Sequence, residues 1–314
     1  MFLCNNEEMI SYTKCMDTIK KMNREYYDIR KSDYYKVGMV IVSTLKMIKK
    51  FDFKNLKKNY SRWILGKKSV KFSRKETTFQ IKMDETNLYF SEHRIAVYTV
   101  IFGNYDELLE PLFVPNNVDY YVITDQELDL SNSVWKKVDI SAYEDQIYGL
   151  SNVEKNRFFK MKPYEVFGDY YASVYIDGNI KVVSDLTEFV NRIGKWDVAM
   201  HSHFCRECVY DECEAILLAK KEKRINIARH IEYFKKTQMP KGYGLLECNV
   251  IARKHTPLCE KIMGEWWEEF RTCSKRDQLS FPHVLYRNGI PVMEVATLGT
   301  NVFMNPAIRV VTHA

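Results

Sequence analysis

Arg94-Ile95-Ala96-Val97-Tyr98-Thr99-Val100-Ile101-Phe102-Gly103-Asn104 is a near-continuous apolar and β-branched run that stops at a glycine. A run of this kind, without polar alternation, marks a strand covered on both faces and followed by a loop. The pattern returns at Asp119-Tyr120-Tyr121-Val122-Ile123-Thr124-Asp125, at residues 134–138, at Tyr171-Ala172-Ser173-Val174-Tyr175-Ile176-Asp177 and at Asp197-Val198-Ala199-Met200-His201. Residues 152–167 read as helix. Strands alternating with helices predict an α/β domain with a mainly parallel central sheet flanked by helices. Polar residues gather where the strands end, at Gly103-Asn104, Asp177-Gly178-Asn179 and His201-Ser202-His203. In such sheets that edge is where ligands bind.

The composition fits one large domain with an appendage. The chain has 314 residues, 46% hydrophobic and 28% charged, which is ordinary globular usage and excludes a disordered or fibrous protein. The charge is uneven: residues 1–90 hold 20 Lys+Arg against 10 Asp+Glu, and the remainder hold 27 against 31. The chain therefore divides into a basic helical extension, residues 1–90, and an α/β domain, residues 91–314. Within the extension Val37, Val40, Ile41, Leu45 and Ile48 fall on one helical stripe beside Lys46, Lys49 and Lys50. Such a stripe packs on the main domain or rests on a membrane face. The second reading makes an anionic membrane surface a partner of residues 1–75. Nucleic acid is not an expected partner, because no recognition motif accompanies the charge. Met1-Phe2-Leu3-Cys4 runs into Asn5-Asn6-Glu7-Glu8 without a basic n-region or an apolar stretch. The expected location is therefore cytoplasmic, peripheral at the inner membrane face. The eight cysteines are expected as free thiols.

Gly-x-Gly-x-x-Gly, Walker-type and Gly-x-Ser-x-Gly motifs are absent, which removes the main signatures of Rossmann dehydrogenases, P-loop enzymes and α/β-hydrolases. The strongest positive signal is Lys155-Asn156-Arg157-Phe158-Phe159-Lys160-Met161-Lys162-Pro163, followed by the strand that delivers Asp177-Gly178-Asn179. Cations on a helix neutralise phosphate oxygens, and a carboxylate holds a divalent ion that bridges them. The same residues also suit a solvated helix face and a β-turn aspartate. Glu247 stands beside Asn249 near the end of an apolar run, where a carboxylate binds sugar hydroxyls or acts as a base. Trp266 and Trp267 fall in a helical segment, with one expected in the core and the other half-exposed.

From about Arg94 to Arg287 the sequence resembles GT-A-fold nucleotide-sugar glycosyltransferases, in particular the bacterial and plant turgor-regulation-defect/mucilage-related family. The resemblance is carried by Val97-Tyr98-Thr99 through Phe102-Gly103-Asn104-Tyr105-Asp106, by Asn156 to Pro163, by Tyr175-Ile176-Asp177-Gly178-Asn179, by Gly244 to Arg253 and by Arg276-Asp277-Gln278. It implies that the loop from Thr99 through Phe102 and Tyr105 to Asp106 holds base and ribose, and that Arg157 and Lys160 face the donor phosphates. Asp177 would be the first residue of an Asp-x-Asp metal motif. Asn179 stands at its third position, which weakens the expected hold on Mn²⁺ or Mg²⁺. Asp277 and Gln278 match the late Asp-Gln pair that contacts donor sugar and acceptor. Asp277 or Glu247 would be the base of an inverting reaction. His203, Arg206, Glu212 and Asn249 would line the sugar site. Read from spacing alone, His201, His203, Cys205 and Cys208 could instead form a zinc set. Only Phe204 separates His203 from Cys205, and no second Cys pair is present. The expected function is hexosyl transfer from a nucleotide diphosphate donor to a glycan or lipid-linked glycan, in bacterial capsule or other surface polysaccharide synthesis. The alternative is a non-catalytic sugar- or nucleotide-binding protein on the same fold.

Overall fold

The computed structural model of the chain describes residues 93–311. The basic extension of residues 1–90, its apolar stripe and the membrane reading attached to it lie outside the described residues. The described residues form eight strands: β1 (Ile95–Ile101), β2 (Val118–Thr124), β3 (Trp135–Lys137), β4 (Ala172–Ile176), β5 (Ile180–Val182), β6 (Val198–Ser202), β7 (Leu246–Lys254) and β8 (Ile308–Val310). The helices of ten or more residues, among the described residues, are α1 (Asn152–Met161), α2 (Val209–Leu218), α3 (Arg224–Lys236), α4 (Pro257–Thr272) and α5 (Asp277–Arg287).

Six strands form one sheet in the order β3-β2-β1-β4-β7-β6, and β5 pairs with β8 in a small second sheet. β3, β2, β1 and β4 are parallel, and β7 runs antiparallel to both β4 and β6. Five of the six strands therefore point the same way. This is the mixed, mainly parallel α/β architecture that the strand runs predict. The reversed strand has a consequence for the site. Because β7 is antiparallel, its first residues lie at the edge where β4 and β6 end.

Alternation of side chains along each strand separates two cores. Tyr98 and Val100 of β1 and the following Phe102, with Tyr175 and Ile251, face α1, α4 and α5. Ile95, Val97, Val174 and Ile176 face the other way, toward Leu186, Phe189 and the β5–β8 pair. A third cluster joins α2 and α3 to Leu279 at the start of α5.

Local chemistry explains where the elements begin and stop. Ser151 and Glu154 make a reciprocal capping box that starts α1. The helix read over residues 152–167 ends at Met161, and a separate short turn covers Tyr164–Phe167. Lys162 precedes Pro163, and the proline ring pushes it out of the helical region, to φ −121 and ψ 56. Both tryptophans of α4 are core residues, correcting the half-exposed expectation for one of them. Trp266 is satisfied internally, since its Nε1 donates to Asp277 O at 3.2 Å and Ser280 Oγ at 3.0 Å. Among the described residues no helix is long and apolar enough to cross a membrane.

Candidate active site

The carboxyl edge of β4 carries Asp177, and two neighbouring features hold it there. Its backbone N–H donates to Asn249 O across the β4–β7 pair at 2.8 Å. Tyr175 lies two residues earlier on the same strand face, and its hydroxyl donates to Asp177 Oδ1 at 2.6 Å. The glycine that follows is required by space. A Cβ on Gly178 would come within 2.8 Å of Asp106, and its φ is not left-handed, contrary to a sharp turn made by conformational freedom. The β1–β2 loop is thereby seated against the Asp177 turn.

Arg157 and Lys160, one turn apart on α1, both reach Asp277 at the start of α5. Lys160 Nζ lies 2.7 Å from Asp277 Oδ2 and 3.5 Å from Asp177 Oδ1. Arg157 Nε lies 2.9 Å from the same Asp277 oxygen, an ion pair rather than an aligned hydrogen bond. Burial alone would raise the Asp277 carboxyl, but Arg157 and Lys160 overcome it and hold the group well below the usual carboxylate range. Lys160 does not lie on a phosphate-facing surface as expected. Its side chain is 1% exposed and its ammonium sits over the Tyr175 ring at 4.8 Å. Arg157, with a side chain 22% exposed, is the more accessible cation of the two.

A second polar group continues along the edge from Asp277. Gln278 donates from Nε2 to Glu247 Oε2 at 3.0 Å. Glu247 Oε1 lies 3.6 Å from His203 Nε2, which in turn lies 3.9 Å from Glu212 Oε2. Arg206 closes the run on Glu212. Burial pushes the Glu247 carboxyl up to about 7, against the lowering effect of the Phe204 backbone N–H. Burial also raises Glu212 above the ordinary range, outweighing the pull of Arg206. Glu247 is the second residue of β7, not near the end of a run; the reversal of that strand is what brings it to the edge.

Of the residues the sequence singles out, Arg157, Lys160, Asp177, Asp277, Gln278, Glu247, His203, Arg206, Glu212 and Asn249 converge on this edge. Thr99 and Phe102 do not. Thr99 shares the sheet face of Ile95 and Val97, away from Tyr98 and Tyr175, and Phe102 is packed in the first core. Tyr105 is 66% exposed on the loop beside Asp106. Two residues were not assigned from sequence. Tyr175 was legible from its i−2 spacing to Asp177. Arg276 precedes Asp277, and its charge acts on both Asp277 and Glu212.

The zinc reading fails on geometry. His201 is buried, with Nε2 paired to Asn305 Nδ2 at 2.8 Å, while His203 Nδ1 accepts from the backbone of Cys205 and Arg206. Cys213 packs in the third core. Among the described residues no three His, Cys, Asp or Glu side chains are grouped as metal ligands. The donor set at Asp177 and Asn179 fits a hard divalent ion poorly as well. Asp177 is bonded by Tyr175 and Lys160, Asn179 spends its amide on Val311 O at 3.1 Å, and the unpartnered Asn249 Oδ1 is neutral.

The sequence pattern of the TOD1/MUCI70, glycosyltransferase-like domain family matches residues 42–313. The chain belongs to this family. A curated relative, the probable hexosyltransferase MUCI70 of Arabidopsis thaliana, is 24% identical over 220 residues, covering 60% of this chain. The chain spans only 37% of the length of that relative. Two solved structures are similar at low scores. The bifunctional glycosyltransferase WbbM matches with 13% identity, 68% of this chain, 39% of its own and a TM-score of 0.41. Mouse xyloside xylosyltransferase 1 matches with 8% identity, 62% of this chain, 83% of its own and a TM-score of 0.42. What the family membership adds to the geometry is a reaction class to test at the Asp177–Asp277 edge.

Proposed function

We propose that this domain is a glycosyltransferase that moves a hexosyl group from a nucleoside diphosphate donor to a glycan acceptor. One observation carries the reading: a cluster of buried and half-buried cations and carboxylates at the carboxyl edge of the sheet continues directly into a row of polar side chains, Gln278, Glu247 and His203. Family membership supports the same class. In this scheme Arg157 meets the donor phosphates and offsets charge on the leaving diphosphate. Asp177 and Gln278 orient the sugar. Asp277 is a poor base, because two cations stabilise its ionised form. Glu247, with a carboxyl near pH 7, is the better base for an inverting reaction, since a catalytic group works best near the operating pH. In this scheme Tyr105, exposed on the β1–β2 loop beside Asp106, meets the nucleoside.

The acceptor assigned here is a glycan or lipid-linked glycan in surface polysaccharide assembly. Residues 1–75 would bring the domain to an anionic membrane surface, which salt-dependent liposome sedimentation tests. The direct test of the activity is a panel of nucleotide sugars followed by thermal shift and by release of nucleoside diphosphate. Stabilisation with release on adding a glycan supports the assignment. Stabilisation without any release makes the domain a binding module.

A further inference from the structure

The charges at the sheet edge bear on how a diphosphate is held. Asp277 is engaged by both Arg157 and Lys160, and Asp177 Oδ1 by Tyr175 and Lys160. A divalent ion placed on Asp177 would meet the Lys160 ammonium, which already stands between Asp177 and Asp277, and neutral amide oxygen, whereas hard cations draw on several free oxygens, anionic ones first. The bonding left over at this edge is of the opposite kind. The Nε–H of Arg276 is buried without a hydrogen-bond acceptor, and that of Arg157 is buried with Asp277 Oδ2 at 2.9 Å but not aligned for a hydrogen bond. Buried donors without acceptors are rare in folded proteins, and each calls for an explanation. Both flank Asp277, on guanidinium groups, which suit phosphate oxygens.

Resting on the reading that this site binds a nucleoside diphosphate, we propose that the diphosphate is held by Arg157 and Arg276, that Lys160 stands between Asp177 and Asp277 in place of a metal, and that binding requires no divalent ion. Arg157 and Lys160 both face Asp277, so the metal-bridging role between the carboxylates is already taken by side-chain cations. Lys160 occupies the place between the carboxylates where a bridging ion would otherwise gain most. Its ammonium supplies one positive charge to the two carboxylates, and the two arginines supply the hydrogen bonds to the phosphate oxygens. Arg276 is held at the start of α5 by a bond from its guanidinium to Lys221 O, so it is oriented before any ligand arrives.

Calorimetric titration of the full chain with UDP and with GDP, in EDTA and again in excess Mn²⁺, tests the proposal. The expected dissociation constants agree within about threefold between the two buffers. In EDTA, Arg276→Ala should weaken binding by about tenfold or more, as charge-assisted bonds to phosphate are lost. Lys160→Ala leaves Asp177 and Asp277 without their shared cation and should create Mn²⁺ uptake, read by electron paramagnetic resonance with no nucleotide present. The titration of the unaltered chain carries the test even if Lys160→Ala does not fold. Binding seen only with Mn²⁺ overturns this inference and leaves the donor-binding reading intact. Binding in neither buffer, with either nucleotide, overturns both. A folded Lys160→Ala that takes up no more Mn²⁺ than the unaltered chain also counts against the inference.

Discussion

Two buried carboxylates in this domain are each gripped by a pair of basic side chains, and the two grips are built differently. In the interior, Glu269 of α4 sits between His230 of α3 and His283 of α5, at 3.2 and 2.8 Å. The outer nitrogens of those rings are also taken, His230 by Ser274 Oγ at 2.8 Å and His283 by Thr237 Oγ1 at 2.7 Å. All four ring nitrogens are matched. Burial would raise the Glu269 carboxyl, but the two histidine hydrogen bonds hold it below its ordinary value. At the sheet edge, Asp277 is gripped by Arg157 and Lys160, yet the Nε of Arg276 and the Oδ1 of Asn249 remain without hydrogen-bond partners, and the Nε of Arg157 meets Asp277 off the hydrogen-bond direction. A closed polar network specifies one packing of three helices. An open network keeps bonding capacity for something else.

The largest effect should come from breaking the closed network. Glu269→Ala leaves two buried imidazoles without their acceptor and should cost about 3–5 kcal/mol, measured by chemical denaturation. A loss under about 1 kcal/mol would mean that the interior grip is not structural. The open network should behave oppositely. Asp177→Asn should lower transfer by two orders of magnitude or more, about 3 kcal/mol for one preorganised electrostatic group, with little change in melting temperature. If transfer survives, Asp177 only shapes its turn. Arg157→Ala should weaken nucleoside diphosphate binding at least tenfold, from the loss of about 1.5–3 kcal/mol of charge-assisted bonding. Unchanged affinity in calorimetry would remove its phosphate role.

The smallest effect concerns pH. Glu247 has a folded-state value of about 7, above the ordinary glutamate value of about 4.3. As pH rises, the unfolded chain gives up this proton before the folded one does, so stability from this group is greatest at low pH and falls between about 4.3 and about 7. Asp277, held low in the folded state, contributes in the other direction: its stability is present above its ordinary value and is lost as pH falls below about 4. Glu247→Gln should therefore reduce the pH slope of the melting temperature across the upper window only. A slope there equal to that of the unaltered chain would mean that Glu247 is ionised in the folded protein.

Much of this was legible before the fold. The apolar runs ending at Ile101, Thr124, Ile176 and Ser202 could hardly be anything but buried strands, because an unalternating β-branched run has no polar face to offer water. The polar residues at their ends marked one edge, and Arg157 and Lys160 were legible as a pair because three residues of helix place them on one face. Thr99 was misread for a reason of the same kind. Its parity along β1 puts it with Ile95 and Val97, so a residue adjacent in sequence to the loop lies on the wrong side of the sheet.

What the sequence determined by itself was local: which apolar runs are strands of the central sheet, and which side chains carry charge. These follow from sterics and periodicity within a few residues. The tertiary structure alone decided who meets whom. Lys160 and Asp277 are separated by 117 positions, and no spacing rule connects them. Glu247 reaches the site only because β7 runs backwards, and strand direction is set by pairing with β4 and β6 rather than by anything in residues 246–254. Burial, which moves Glu247 toward neutrality while Asp277 stays charged, depends on how closely the surrounding elements pack and on which cations they carry to each carboxylate.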